Sequence, residues 1–484
     1  MAAENFSDSP AKSEYDAVVI GSGPNGLAAA IELARKGASV LVIEAKDTPG
    51  GGTRSLELTE PGFVHDVCSA IHPMGVASPF MSSLPLAEHG CEWIQPRFPA
   101  AQPIDGDRAV IQEREIAATA ERLGLKDGKS YRRIFEPLVK SAPKLYQQLL
   151  GPISFPRYPF AMARFGLKAL RSARGFAHSN FKTEEARALF SGHAAHSVQR
   201  LEDTATAAIG LMLTVTAHHV GWPVAKGGSG KIAEAMVSIL QSHGGEVVCS
   251  RPVDSIEQLP KAKAYLFDTS PTAMGQICGD RLPAGYRKKL DKYRFGPGVF
   301  KVDWALNSPI PWRNAECAEA GTVHVGGTFD EVAEAEAAPW SGRNSEKPFL
   351  ILAQPTNFDP SRAPDGKHVA WAYCHVPNGS EENMLEAVES QIERFAPGFR
   401  DCVLARHTFS TAQMQAYNSN YIGGDVVGGV ADLRQLFTRP VARLNPYTTP
   451  ASDIFICSAS TPPGAGVHGQ CGFHAAKAAA KRLR

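Results

Sequence analysis

Glycines at two places in the chain have the spacing that binds a nucleotide phosphate. Gly21, Gly23 and Gly26 form a G-x-G-x-x-G pattern, and residues 464–469 repeat it close to the last residue. The first glycine permits a tight turn, the second lets the backbone approach a pyrophosphate, and the third lets a helix pack closely on a strand. The spacing therefore predicts phosphate binding.

The residues around the first pattern predict a complete βαβ unit. A short apolar run at 16–20 has the composition of a strand, LAAAIELARKG has helical periodicity, and a second strand ends at Glu44. The helix start offers free N–H groups and the positive end of its dipole to phosphates. We expect the Glu44 carboxylate to accept hydrogen bonds from a ribose diol and to disfavour a 2′-phosphate.

Both NAD and FAD fit such a unit, and a further glycine pair indicates which of the two binds here. The stretch AKDTPGGGTRS contains Gly50 and Gly51, and Arg54 follows as a candidate to neutralise phosphate charge. Here the sequence resembles the flavoprotein superfamily of phytoene desaturases and monoamine oxidases, whose extended fingerprint is G-x-G-x-x-G, an acid and a Gly-Gly pair. Many members carry arginine directly after that pair, where this chain has Gly52. The resemblance implies FAD as cofactor.

The second glycine pattern completes the same domain. Residues 453–457 have the composition of a strand, and the residues after Gly469 have that of a single helix. A second nucleotide-binding domain would need another strand and an acidic residue after Gly469, and the pattern predicts neither. The resemblance implies that SASTPPGAGVHGQCGFHAA lies beside the flavin ring and that Val253 lies near the adenine. Motif and resemblance together predict these cofactor-binding residues: Gly21, Ser22, Gly23, Pro24, Asn25, Gly26, Glu44, Ala45, Lys46, Gly51, Gly52, Thr53, Arg54, Val253, Ser270, Gly466, Val467, His468 and Gly469.

The predicted fold class is α/β. The resemblance implies a Rossmann-type FAD-binding domain of the glutathione-reductase-like, two-dinucleotide-binding-domain flavoprotein type, interleaved with an α+β substrate domain. The FAD-binding domain is assigned to 1–70, 221–284 and 431–484, and the substrate domain to 71–220, its helical part, and 285–430. Two stretches, QPTNFDPSRAPDGKHVAWAYCHVP and NYIGGDVVGGVADLRQLFTRPVARLNPYTTP, resemble the phytoene-desaturase-like branch that includes the pyridine nucleotide-disulfide oxidoreductase domain-containing proteins.

One strand supplies the candidate catalytic residues. In YRFGPGVFKVDWALNSPIPW, Val299, Lys301, Asp303 and Ala305 share a face by strand alternation. A charged pair there either lines a cavity or lies on a solvated edge strand. The stretch resembles the monoamine oxidase segment that brings a lysine toward flavin N5 through a water, which implies that Lys301 holds this water and Asp303 orients or tunes it.

Histidines and cysteines give weaker signals. His193 and His196 have helical i, i+3 spacing, and because the sequence shows no third ligand we interpret them as structural and predict no metal. For His375 and Tyr447 the alternatives are contact with the substrate and a core or hydrogen-bonding role, and we favour the second. Nine cysteines without a C-x-x-C pair favour a reducing compartment over a disulfide framework.

The composition of the chain limits which classes of partner it is expected to bind. A net charge of +1 over 484 residues gives no basic field for nucleic acid, and the polar start with no long apolar run predicts a cytoplasmic protein. Residues 155–175 combine aromatic residues with Arg164, Lys168 and Arg171, which suits either a helix on anionic lipid or a solvated helix or subunit contact. An oligomer is possible.

These features give three hypotheses of function. The first is an FAD-dependent oxidoreductase, phytoene-dehydrogenase-like, that desaturates, saturates or isomerises an apolar, possibly isoprenoid or polyene, substrate through hydride transfer at flavin N5. The second is an oxidase of amines or other polar small molecules. The third is a flavin-bound interaction protein without turnover.

Overall fold

Residues 9–483 are described by the computed structural model of the chain; the predicted domain boundaries at residues 1 and 484 lie outside the described residues. Its strands are β1 (Glu14–Ile20), β2 (Val40–Ile43), β3 (Ser55–Glu57), β4 (Val64–Asp66), β5 (Trp93–Ile94), β6 (Phe98–Asp105), β7 (Arg108–Gln112), β8 (Val224–Ala225), β9 (Glu246–Val248), β10 (Lys261–Phe267), β11 (Gly298–Leu306), β12 (Ala320–Val325), β13 (Leu350–Ala353), β14 (His368–Val376), β15 (Val403–Phe409) and β16 (Ile454–Ile456).

The α-helices connect these strands and cover their sheets. They are α1 (Pro24–Ala34), α2 (Pro73–Ala77), α3 (Ile116–Arg122), α4 (Gly124–Val139), α5 (Ala142–Leu149), α6 (Pro159–Ala169), α7 (Ala173–Asn180), α8 (Glu184–Ala195), α9 (Ala207–His219), α10 (Gly230–Ser242), α11 (Pro271–Cys278), α12 (Ala284–Leu290), α13 (Phe329–Ala337), α14 (Leu385–Phe395), α15 (Thr411–Tyr417), α16 (Leu433–Leu436) and α17 (Gln470–Leu483).

The first sheet joins the two ends of the described chain. It has five parallel strands in the order β16-β10-β1-β2-β9. Ala17, Val18 and Val19 in β1 are fully buried, as expected for a parallel strand with both faces covered. Helices α1, α10 and α17 pack on one face. A strand and a helix from the far end of the sequence therefore complete the βαβ unit at its start.

The second sheet has seven strands in the order β15-β11-β14-β13-β12-β6-β7. Its pairs are antiparallel except for β12 with β6. On one face Phe300, Val302 and Trp304 pack in an apolar cluster with α14. On the other face Lys301 and Asp303 are 1% and 0% exposed, so the alternative of a solvated edge strand is wrong. The reason is that β11 has a strand on each side.

Two local predictions differ from the structure. The helix containing Arg164 and Lys168 ends at Ala169, so Arg171 lies beyond it and donates to the carbonyl of Gly175 instead of extending the same helical face. The sequence of residues 227–256 predicts a helix followed by two strands, but the structure has one strand there, β9. Pro252, which has no N–H to donate to a ladder, follows it.

Helices α4 to α9 form a layer against the second sheet, with a core that includes Phe135, Phe176 and Leu211. Among residues 9–483, no helix combines the length and the apolar character needed to cross a bilayer.

Candidate functional site

A cavity of about 890 Å³ lies where the two sheets and the helical layer meet. It is lined by the loop after β1, the end of β2, the loop before α17, and side chains of β11 and β14. All the predicted cofactor-binding residues line it except Gly26 and Gly469, which pack beside it. The volume is at the upper end of the range for ligand pockets, as a cofactor and a substrate together require.

The glycine loop after β1 leaves the start of α1 open. Gly21 has φ +98°, and an added Cβ would lie 2.8 Å from the carbonyl oxygen of Asp268. At Gly26 a Cβ would lie 2.1 Å from the carbonyl oxygen of Gly21. Gly23, the N-cap of α1, has no side chain to cap the helix. Pro24 has no N–H and the Gly26 N–H donates to Asp268, so in the first turn the Asn25 N–H is left to an anion.

Glu44 is the centre of a buried hydrogen-bond network at the end of β2. Its Oε2 accepts from the Ser22 backbone N–H at 2.9 Å and the Ser22 hydroxyl at 2.5 Å, and its Oε1 accepts from the Lys46 N–H at 3.0 Å. Arg54 Nη2 lies 3.1 Å from Oε1. These four contacts fill the acceptor positions of a carboxylate, so a ribose hydroxyl requires the Ser22 hydroxyl to rotate away.

Arg54 is held by the protein as well as by Glu44. Its Nε donates to the Thr48 carbonyl at 2.8 Å and its Nη1 to the Gly51 carbonyl at 3.2 Å. The Tyr417 hydroxyl donates to the same Gly51 carbonyl at 2.8 Å, and the Arg54 guanidinium lies over the Tyr417 ring. Arg54 therefore lies beside the acid that sequence analysis placed on the ribose, and its charge is shared with Glu44 before any phosphate binds.

Asp268, directly after β10, was missed by sequence analysis. Its Oδ2 accepts from the Gly26 N–H at 2.8 Å, in the first turn of α1. Burial raises the pKa of Asp268 to about 7; the Gly26 N–H lowers it and Glu44 raises it. The residue lines the cavity together with Val253 and Ser270. No glycine pattern marks it, and the signal available in the sequence was its place at the end of a strand in the same sheet.

The loop before α17 forms the opposite wall. Gly466 has φ +130°, and Val467 and His468 line the cavity just before α17 begins at Gln470. Burial lowers the pKa of His468 to about 4, so its ring is neutral near pH 7. Arg439, also missed, is 3% exposed, lines the cavity and donates to the carbonyls of Gly428 and Ala459.

Lys301 and Asp303 form a buried hydrogen-bonded ion pair under the cavity. Lys301 lines the cavity, and its Nζ lies 5.4 Å from the centre of the Trp371 ring. Burial raises the pKa of Asp303 to about 6, against the lowering effect of Lys301. Burial also lowers the pKa of His65, 3.6 Å from Asp303, to about 3, so that ring is neutral. The pair thus presents one ammonium group to the cavity.

The remaining polar residues singled out in the sequence fall in different places. His196 and His375 line the cavity, whereas His193 packs behind it against Trp222. The Tyr447 hydroxyl donates to the Pro462 carbonyl at 2.9 Å. Within residues 9–483 no group of three or more histidine, cysteine or acidic residues has the geometry of a metal site.

Known proteins resemble the chain along almost its whole length. A family model described as an NAD(P)-binding Rossmann-like domain matches residues 19–84. The pyridine nucleotide-disulfide oxidoreductase domain-containing protein 2 of Mus musculus is 24% identical, over 98% of this chain and 94% of the mouse protein. The neurosporene-forming phytoene desaturase of Rhodobacter capsulatus is 24% identical, over 93% of this chain and 91% of the desaturase.

Solved structures share the fold. An oxidoreductase from Methanosarcina mazei superposes with a TM-score of 0.66 at 15% identity, over 96% of this chain and 99% of the other. A putrescine oxidase bound to putrescine superposes with a TM-score of 0.63 at 18% identity, over 97% and 99%. The predicted fold class, with its Rossmann-type domain, is confirmed.

Proposed function

We propose that the chain binds FAD and exchanges hydride between flavin N5 and an apolar substrate. The premise is that it belongs to the superfamily of FAD-dependent oxidoreductases that includes phytoene desaturases and amine oxidases. The single observation that carries the proposal is the cavity: one continuous space reaches from the open N-terminus of α1 to an apolar wall on the second sheet.

The cavity wall at the glycine loops fits a dinucleotide. The Asn25 N–H in the first turn of α1 is available to the diphosphate, and added side chains at Gly21 or Gly26 would collide with backbone. Glu44 is at the end of β2, where the ribose of such a cofactor is bound. Val467 and His468 would face the ring system. When bound, FAD supplies the hydride acceptor or donor.

The substrate end favours an apolar compound over an amine. The acidic residues that line the cavity are Glu44, Asp254 and Asp268, all near the glycine loop. The wall beyond Lys301 is formed by Ile351, Trp371 and Met212 among others. A protonated amine buried there would lack a carboxylate partner, which costs about 3 kcal/mol or more. We therefore favour the first of the three functions.

In this arrangement Lys301 acts at the reacting end of the substrate. Its Nζ faces the cavity while Asp303 fixes the ammonium from below, so Lys301 can hold a water molecule against the flavin without bringing net charge. Trp371 and Tyr373, whose stacked ring planes are 7° apart, line the cavity beside Lys301 and exclude bulk water.

Helix α6 provides a route for such a substrate. Phe165 on its inner side lines the cavity, whereas Phe155, Phe160 and Leu167 on the outer side of this segment are 94%, 90% and 77% exposed. Arg164 flanks the outer side chains and is exposed. An exposed apolar patch with basic neighbours suits an anionic membrane surface, from which an apolar compound passes to the cavity.

The test is purification, flavin release and anaerobic reduction. We expect yellow protein that releases FAD and whose flavin is bleached by a polyene or its saturated counterpart but by neither putrescine nor benzylamine. A colourless protein that takes up no added FAD overturns the proposal. Bleaching by an amine, with hydrogen peroxide formed on admitting oxygen, favours the oxidase. A flavin that dithionite alone reduces favours a binding protein.

A further inference from the structure

A row of residues crosses the second sheet beneath the cavity. Lys301 pairs with Tyr373, Tyr373 with Ile351, and Ile351 with His324, so all four side chains point to one face. The row covers three steps between neighbouring strands. At roughly 4.8 Å a step, its His324 end lies on the order of 14 Å from Lys301.

The His324 end is polar. His196 Nε2 lies 2.9 Å from His324 Nε2, and His196 lines the cavity. At this end two other lining side chains are at least nine-tenths buried and have a polar atom with no hydrogen-bond partner in the described part of the chain: Ser197 Oγ and Trp222 Nε1. We call His196, Ser197 and Trp222 the polar end of the cavity.

These side chains are fixed in place without a ligand. The Trp222 ring lies 5.9 Å from that of His196. The His196 ring is held by its contact with His324, whose ring lies 5.1 Å away. Buried polar atoms without partners cost free energy, and a row of them on a cavity wall is explained when a ligand supplies the missing bonds.

The charge at the polar end restricts the ligand to a neutral group. Burial lowers the pKa of His196 to about 3, with smaller effects from His193 and His375, and burial also lowers the pKa of His324 well below its usual value. The cationic side chains that line the cavity are Lys46, Arg54, Arg251, Lys301 and Arg439, none of them at this end. A carboxylate would therefore have no counter-ion there, whereas a hydroxyl both donates and accepts hydrogen bonds.

We infer that the polar end binds the hydroxyl terminus of an otherwise apolar chain, and so aligns a bond on the order of 14 Å from that hydroxyl with Lys301. The alignment rests on the proposed function; binding of the hydroxyl does not. The substrate class becomes a long-chain apolar alcohol, held by its terminus at His196 and Ser197 and reacting at Lys301.

The binding test compares 1-dodecanol with dodecane by calorimetric titration of the full-length protein supplied with FAD. We expect the alcohol to bind about tenfold more tightly than the alkane, since a ligand without the hydroxyl leaves the buried polar atoms unpaired. The variants His196→Phe and Ser197→Ala should each reduce this preference, and the double variant should abolish it while dodecane binds as before. Equal binding of the two compounds to the unaltered protein, or no binding of 1-dodecanol, overturns the inference.

Matched controls come from α8, the helix that ends at Ala195, just before His196 and Ser197. His193→Phe and Ser191→Ala also remove a buried histidine and a buried hydroxyl from α8, but neither residue lines the cavity. Both should keep the preference for the alcohol. If the controls lose it as fully as the cavity variants, the effect is one of folding and the inference fails. Should His196→Phe not fold, Ser197→Ala alone carries the comparison.

The alignment has its own readout in the flavin absorbance. 1-Hexanol should occupy the polar end without altering the flavin spectrum, because it is too short to reach Lys301, whereas 1-dodecanol should shift it. A shift of equal size with both alcohols overturns the alignment. Protein that prefers 1-dodecanol but takes up no FAD retains the hydroxyl site and refutes the proposed function, so the two failures are distinguishable.

Discussion

Gly472 of α17 lies directly on the backbone of Asn25 in α1: a Cβ added at Gly472 would lie 1.8 Å from the Asn25 carbonyl oxygen. The two residues are far apart in sequence, yet their helices share the cluster that covers the first sheet. The contact places the loop ending at Gly469 and the loop around Gly23 on opposite walls of one cavity. A glycine at position 472 therefore allows both glycine-rich loops to line the same cavity.

Replacing Gly472 by alanine should separate the two helices. We expect the free energy of unfolding to fall by about 1 to 3 kcal/mol, because backbone has to move to admit the methyl group. FAD content should fall with it. Gly285→Ala in α12 is the control, since nothing lies within 4 Å of its added Cβ and it should be neutral or slightly stabilising. Urea denaturation and flavin absorbance measure both effects; equal stabilities of the two variants would contradict the packing argument.

The raised pKa of Asp268 predicts that FAD affinity depends on pH. The carboxyl is raised from 3.8 to about 7 and bonds the first turn of α1, where the diphosphate is expected. Ionised Asp268 repels that charge, so affinity should fall by about tenfold or more as pH rises from about 6 to about 8. Fluorescence titration with FAD at several pH values measures this fall.

The same residue affects the stability of the FAD-free protein. Because the folded state holds the Asp268 proton more tightly than the unfolded chain, its contribution is complete below pH 3.8 and is lost as the pH rises through about 7. Asp268→Asn should remove both dependences. Asp254→Asn, a second cavity-lining acid, is the control and should leave them unchanged. A pH profile that persists in Asp268→Asn would assign it to another group.

Because Lys301 and Asp303 form a buried ion pair, replacing either residue alone should lower the free energy of unfolding. Lys301→Met leaves Asp303 buried and uncompensated, and we expect a loss of about 3 to 5 kcal/mol in unfolding free energy. The double variant Lys301→Met with Asp303→Leu should recover most of it. Lys263→Met, which removes an exposed pair with Asp16, should cost less than about 1 kcal/mol. If the double variant is no more stable than the single one, the pair is not what holds Lys301.

The sequence predicted the first sheet because its signals are local. The G-x-G-x-x-G pattern and its flanking strands fix β1, α1 and β2 within a short stretch, and strand alternation placed Lys301 and Asp303 on one face of β11. That they are buried follows from β14 and β15, which lie on either side of β11 and come from later in the chain. Burial of this kind depends on pairing between strands that are far apart in sequence, and the sequence of one strand does not reveal its partners.

The residues that sequence analysis missed share this dependence. Asp268 matters because β10 places it under Gly26, and Arg439 because the loop before α17 brings the Ala459 carbonyl to its guanidinium. His196 was interpreted as structural from its helical spacing with His193, yet the two rings differ in what they face: His196 lines the cavity and His193 does not. Spacing places residues on a helix face, whereas tertiary packing decides which of them reaches the cavity.

The exposed side chains near α6 predict binding to anionic vesicles. Replacing Phe155, Phe160 and Leu167 by serine removes three side chains that are mostly exposed, so folding should be unaffected while co-sedimentation with phosphatidylserine-containing vesicles falls by about tenfold or more. Removing the charge of Arg164 and Lys168 should weaken binding chiefly at low salt, because screening already weakens it at high salt. Leu444→Ser is the control, since Leu444 is fully exposed elsewhere and should leave binding unchanged. Equal sedimentation of all variants would mean that this patch is not a membrane contact, and uptake of apolar substrate would then have to proceed from solution or from a protein partner.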